Sequence, residues 1–181
     1  MTLPADLPVP VDDGACAHLS GRAVPALTLA SSRGPIDLAT LAADRAVLYV
    51  YPRTGTPDRP VPEGWDAVPG ARGCTPQSCA FRDHAAELER LGARVAGLSA
   101  QTLSEQEEVA ERLHLPYPVI ADPELSLRAA LDLPTFVFDG AELYKRVTLI
   151  FEAGTIRRVF YPVFPPDRNA HDVVEWLKEH A

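Results

Sequence analysis

The sequence predicts an α/β fold in which helices cover both faces of a central mixed β-sheet. Two observations carry this. Short runs of apolar, branched and aromatic residues alternate with capped helical stretches, and a last hairpin and helix close the chain. Residues 24–30 read as the first strand, and 35–43 as a short strand with a helical turn. Residues 45–51 read as a buried strand from their apolar, aromatic and branched content. The next helix takes Thr75 as N-cap, with Pro76 at its first helical position, and runs through Leu88 to Leu91. Residues 95–99 form a strand, and 104–113 a helix opened by Ser104 with Glu107 three residues on, a capping box. A short strand at 118–121 and a helix at 123–131 follow. Strands at 148–151 and 156–161 flank Glu152-Ala153-Gly154-Thr155, a hairpin turn signal. Residues 169–180 close the chain as a helix with Val173, Val174, Trp176 and Leu177 on its apolar side.

Composition narrows the function classes. The 181 residues are most simply one domain, large enough for a buried core. The 18 prolines gather at element boundaries and in residues 58–72, so they punctuate a compact fold and form no low-complexity tract. A formal charge of -8 without clustered Lys and Arg argues against nucleic acid as a partner. The start, Met1-Thr2-Leu3-Pro4-Ala5-Asp6, lacks the basic region and apolar core of a signal peptide, and no apolar run reaches the roughly 18 residues needed to span a bilayer. A cytoplasmic protein with no membrane partner is the expectation. In that compartment cysteines read as catalytic in preference to a structural staple.

Cys74 and Cys79 lie in Gly73-Cys74-Thr75-Pro76-Gln77-Ser78-Cys79-Ala80-Phe81-Arg82-Asp83-His84. Cys74 sits at the positive end of a helix, which favours thiolate over thiol, and the thiolate is the nucleophile. Five residues along an ideal helix separate α-carbons by about 8.6 Å, beyond the roughly 7 Å limit for a disulfide. The pair can bridge only if the first turn melts. Metal binding by Cys74, Cys79 and His84 is the rival use, but steps of five residues rotate about 140° each and spread the three around the helix.

Gly-Cys-Thr-x-Gln-x-Cys-x-Phe-Arg-Asp-His resembles the active-site segment of the peroxiredoxins, in particular the bacterioferritin comigratory protein subgroup. Upstream, Val47-Leu48-Tyr49-Val50-Tyr51-Pro52 followed by Thr56-Pro57 is similar to the family's strand ending in Tyr-Pro-x-x-x-Thr-Pro, and Val24-Pro25-Ala26-Leu27-Thr28-Leu29 to its opening strand. Downstream, Gly97-Leu98-Ser99, then Pro116-Tyr117-Pro118-Val119-Ile120-Ala121-Asp122-Pro123, keep the family's order, and Arg146-Val147-Thr148-Leu149-Ile150 stands where it carries its active-site arginine. The resemblance implies a thioredoxin-like fold over residues 22–181, preceded by an N-terminal extension, 1–21. It implies a thiol-dependent peroxidase acting on hydrogen peroxide and organic hydroperoxides. Cys74 would attack the peroxide, Cys79 resolve the sulfenic acid, Arg146 stabilise charge, Thr56 orient the peroxide and Pro52 shield the site. A thioredoxin-like protein would recycle the disulfide, with no cofactor or metal, in a monomer or weak homodimer.

One departure is large. In the family pattern the threonine stands three residues before the attacking cysteine, whereas Thr56 and Cys74 are 18 apart here, an insertion of 18 − 3 = 15 residues, and position 71 is Ala. The inserted loop, 58–72, is rich in Pro and Gly and reads as a surface loop that bulges outward and leaves Pro52 and Thr56 in place, with Thr54 an alternative to Thr56. Trp65 reads as packing this loop down in preference to binding a ligand. Cys16 lies outside the matched region and reads as a spectator thiol, or a backup resolving residue. Arg82 and Asp83 read as a local charged pair, with Arg82 also a candidate support for Arg146, and His84 as a surface or capping residue. Two other classes stay open: a thiol-disulfide oxidoreductase, against which the four intervening residues speak, and a non-enzymatic redox sensor using the same cysteines.

Overall fold

The computed structural model describes residues 3–180. The chain runs β1 (Thr28–Leu29), β2 (Ile36–Asp37), α1 (Leu38–Ala42), β3 (Arg45–Val50), α2 (Cys74–Asp83), α3 (Ala85–Arg90), β4 (Ala93–Ser99), α4 (Leu103–Arg112), β5 (Val119–Ala121), α5 (Ser126–Leu131), β6 (Thr135–Phe138), β7 (Ala141–Tyr144), β8 (Val147–Glu152), β9 (Thr155–Phe160) and α6 (Asn169–Glu179). The main sheet has the order β5-β4-β3-β8-β9, with β3, β4 and β5 parallel and β8 and β9 antiparallel to their neighbours. This is the mixed sheet that the alternating pattern predicts.

The period of two along β3 divides the core. Ala46, Leu48 and Val50 point to one face, against Leu38 and Leu41 of α1 and Leu127 and Leu131 of α5. Val47 and Tyr49, with Tyr51 just beyond, point to the other, against Phe81 of α2, Leu88 of α3 and Val173 and Leu177 of α6. Tyr49 stacks on Phe81 with centroids 4.5 Å apart, and Gly97 on β4 makes room for it, since a β-carbon there would lie 2.7 Å from the tyrosine hydroxyl. The residues before position 22 join the same body: Cys16 and Leu19 are buried in the first core, and the Asp13 carboxylate accepts from Lys145 and Tyr161, each at 2.8 Å.

Several boundaries differ from the sequence reading. The first strand shrinks from 24–30 to Thr28–Leu29, where Pro25, which lacks an N–H for a ladder, precedes it. The helix after the insertion starts at Cys74 itself, capped by Gly73 in the left-handed region at φ 105°, so Thr75 and Pro76 lie inside its first turn and Thr75 is not the cap. It stops at Asp83, and His84, at φ -98° and ψ 1°, separates it from α3. The capping box before α4 is Thr102 with Glu105, two residues earlier than Ser104 with Glu107. The β6–β7 hairpin is an element the sequence reading lacks. Its signal is Asp139-Gly140, both at positive φ, the residue pair favoured in tight hairpin turns.

Candidate active site

Gly73 sets the start of the site. Its positive φ suits glycine, and a β-carbon would collide with Pro166, so only glycine lets the chain turn here beneath the segment that leads into α6. Cys74 follows as the first helical residue, 3 % exposed. The first helical turn has N–H groups with no intrahelical acceptor, and those of Cys74 and Thr75 are donors aimed toward the helix start. The thiol has two polar neighbours: Nη2 of Arg146 at 3.2 Å and the carbonyl oxygen of Ala71 at 3.6 Å.

Arg146, immediately before β8, is 3 % exposed and its guanidinium is spent entirely on the site. Nε and Nη2 donate to Gly70 O at 3.3 and 3.2 Å, Nη2 also lies 3.1 Å from Ala71 O and 3.2 Å from Arg72 O, and Nη1 donates to Oε1 of Gln77. The expectation that the inserted loop simply bulges outward is therefore corrected. Its tip is exposed, but Trp65 is 5 % exposed and packs against Phe136 and Phe138, with Arg53 stacked over its ring at 4.7 Å, and Ala71 is fully buried. Once anchored there, the last three residues of the loop present their carbonyls as acceptors to a cation with five N–H donors.

Of the five residues named from sequence, the structure joins Cys74 and Arg146 directly and buries Pro52 at the end of β3. Thr56 is not joined to them. It is exposed, and its hydroxyl makes no hydrogen bond among the described residues, because the insertion begins beside it and carries the chain to the surface while Ala71 takes the position three residues before Cys74. Thr54 does not replace it, since its hydroxyl donates to Oε1 of Gln101 at 3.2 Å. Cys79 is half-buried on the same helix, packed on the second core. Between the two cysteines, Ser78 is held on both sides: Tyr117 donates to its carbonyl at 2.8 Å and the Tyr49 hydroxyl lies 3.1 Å from its Oγ.

Cys16 belongs to the core on the opposite face of the sheet from Cys74. Burial, aided by Asp13 and Asp12, pushes its thiol up to about 12, so it is held protonated. Burial also pushes Tyr49 of β3 and Tyr51 just beyond it, on the same face as Cys74, well above the ordinary tyrosine range. Arg82 pairs with Asp83 at 2.9 Å and donates to Leu113 O at 3.0 Å, so it is the local pair that the sequence suggests and not a support for Arg146. That support is Gln77, which sequence reasoning missed although it lies one helical turn from Cys74 on the same face. Asn169, behind Gln77, is 92 positions away in sequence and had no local signal.

The Redoxin family profile matches residues 19–175. The chain is 28 % identical over 159 residues to the chloroplastic peroxiredoxin Q of Arabidopsis thaliana, covering 87 % of this chain and 66 % of that relative's own length. Among solved structures it is similar to peroxidoxin BcpB of Mycobacterium tuberculosis, with a TM-score of 0.74, 25 % identity and coverage of 91 % of this chain and 99 % of that one. Peroxiredoxin Q of Xylella fastidiosa shares the fold at a TM-score of 0.73 and 20 % identity, over 90 % of this chain and 98 % of that one.

Proposed function

We propose that this chain, which belongs to the Redoxin family and within it to the peroxiredoxins of the bacterioferritin comigratory protein subgroup, is a thiol-dependent peroxidase. The observation that carries the proposal is the 3.2 Å contact between Arg146 Nη2 and Cys74 Sγ at the start of α2. A buried sulfur beside a cation that cannot lose its proton is placed so that negative charge developing on it is stabilised.

In the proposed cycle the Cys74 thiolate attacks the terminal oxygen of a hydroperoxide. An S–O bond forms, the O–O bond breaks, and the leaving alkoxide or hydroxide takes up a proton to give alcohol or water. Arg146 and the free N–H groups of the first turn stabilise the negative charge as it passes from sulfur to the leaving oxygen. They also orient the peroxide, a task that the exposed Thr56 does not share. Pro52 limits the access of water. Cys79 then condenses with the sulfenic acid, forming a disulfide and releasing water, and a thioredoxin-like dithiol returns both thiols at the cost of its own oxidation. A cavity of about 440 Å³, lined by Val9, Val68, Phe136, Tyr161 and Val163 among others, reaches Arg146 but does not include Cys74 in its lining. The cycle needs a compartment that keeps thiols reduced, such as the cytoplasm.

The test is steady-state peroxide consumption with a thioredoxin system. Cys74→Ser is expected to abolish it and Cys16→Ser to leave it nearly intact. Equal loss in the two variants would overturn the assignment.

A further inference from the structure

We propose that Asn169 is a positioning residue for the peroxidase site: it fixes the amide of Gln77 so that oxygen, not nitrogen, meets Arg146, and thereby holds the guanidinium against the Cys74 sulfur. The inference rests on the peroxidase reading for its purpose, but its geometry stands separately. Cys74, Gln77, Arg146, Thr148 and Asn169 are all buried, from fully to 3 % exposed. They join α2, the start of β8 and the first residue of α6 into one hydrogen-bonded line.

The polarity of that line agrees at every link, taken from Arg146 outward. A guanidinium only donates, so the Gln77 atom facing it is Oε1. Nε2 of Gln77 then faces Asn169, at 2.9 Å, and the Asn169 atom receiving it is Oδ1. The same oxygen accepts from the Thr148 hydroxyl at 2.7 Å, which ends the line. No other orientation of the two amides satisfies all three contacts.

Arg146 depends on this support because its Nη2 is oversubscribed. Two hydrogens face four acceptors within 3.2 Å, namely Gly70 O, Ala71 O, Arg72 O and Cys74 Sγ. Nη2 cannot serve all four at once, so which of them it meets depends on how the guanidinium is turned in its plane. Gln77 is the side chain that holds Nη1, and Asn169 is what holds Gln77.

The ionisable groups facing Cys74 from the packed elements do not compete for this role. Tyr49 of β3 and Tyr51 just beyond it are neutral, and on and around α6 Arg168 pairs with Asp172 and Lys178 with Glu87 and Glu175. His171 of α6 lies beside His84 at the far end of α2.

The experiment follows the alkylation rate of Cys74 by iodoacetamide against pH, read at the Cys74 peptide by mass spectrometry. Asn169→Ala is expected to move the profile up by about half to one pH unit, a fraction of the roughly 1–3 units a neighbouring cation supplies, and so to slow alkylation about 3- to 10-fold below the midpoint. In a Gln77→Glu background the same substitution is expected to move nothing, because either carboxylate oxygen can accept from Arg146 and no orienting partner is needed. Thr148→Val, should Asn169→Ala not fold, is expected to give a smaller displacement of the same sign, again only with Gln77 present. Displacement of equal size in both backgrounds would mean that Asn169 merely packs, and no displacement in either would mean that Gln77 orients itself; both overturn the proposal. Because alkylation needs no peroxide, failure here is distinct from failure of the peroxidase assay.

Discussion

Removing the cation beside Cys74 should cost the thiolate more than any other single change. In Arg146→Met the charge 3.2 Å from the sulfur disappears. At an effective dielectric constant near 20, two unit charges at that distance interact by about 5 kcal/mol, which would be roughly 4 pH units at about 1.4 kcal/mol each. That is an upper limit. The guanidinium charge is spread over three nitrogens, and the carbonyls of Gly70, Ala71 and Arg72 already offset part of it. The expected displacement of the Cys74 alkylation profile is therefore about 1–3 units toward higher pH, with peroxide oxidation at neutral pH slowed about 10- to 1000-fold. Arg146→Lys should fall between, since an ammonium keeps the charge but has three donors and cannot serve the loop carbonyls, Gln77 and sulfur together. Stopped-flow oxidation and alkylation across a full pH series measure both variants, with circular dichroism to confirm that each is folded. An unmoved profile in folded Arg146→Met would refute the reasoning and assign the cation role elsewhere.

Three further outcomes follow from the same geometry. Gly73→Ala should lower stability by about 1–3 kcal/mol, from a positive φ and a collision with Pro166, and a denaturation midpoint equal to wild type would show that the cap relaxes freely. Tyr117→Phe removes the 2.8 Å bond to Ser78 O that helps to keep the Cys74 to Cys79 segment helical; disulfide formation after oxidation, followed by rapid thiol trapping, should quicken about 2- to 10-fold, and an unchanged rate would mean that α2 opens elsewhere. The Cys16 thiol is raised in the folded state from 9.0 to about 12, so its contribution is complete below pH 9 and is lost as pH rises toward 12. Denaturant titrations over that window should show a shallower fall for Cys16→Val than for wild type, and parallel curves would sink the idea.

Much of the site was legible before the fold was known, for a physical reason. A cysteine at a helix start, a second thiol on the same helix and an arginine before a strand are local patterns that a few residues carry. The strands of the main sheet were legible too, because fully buried β-strands such as β3 leave nearly continuous apolar runs. What escaped was set by distance and by competition. Gln77 takes its meaning from Arg146 and Asn169, which tertiary packing alone brings near it. Thr56 lies away from Cys74 because the insertion carries the chain to the surface after it, and Ala71, three residues before Cys74, meets the thiol with its backbone carbonyl. Thr75 looked like a cap because of its residue type, but the tight approach of Pro166 selects Gly73.

The most direct test of the central claim is peptide mapping after reaction with one equivalent of hydroperoxide, without added reductant. The expected result is a single product, two hydrogens lighter than the reduced protein, with Cys74 joined to Cys79, reversed by a dithiol, and accompanied by some loss of helical signal as α2 unwinds. In Cys79→Ser the reaction should stop at a sulfenic acid on Cys74. An unmodified Cys74, or a bridge from Cys74 to Cys16, would contradict the account.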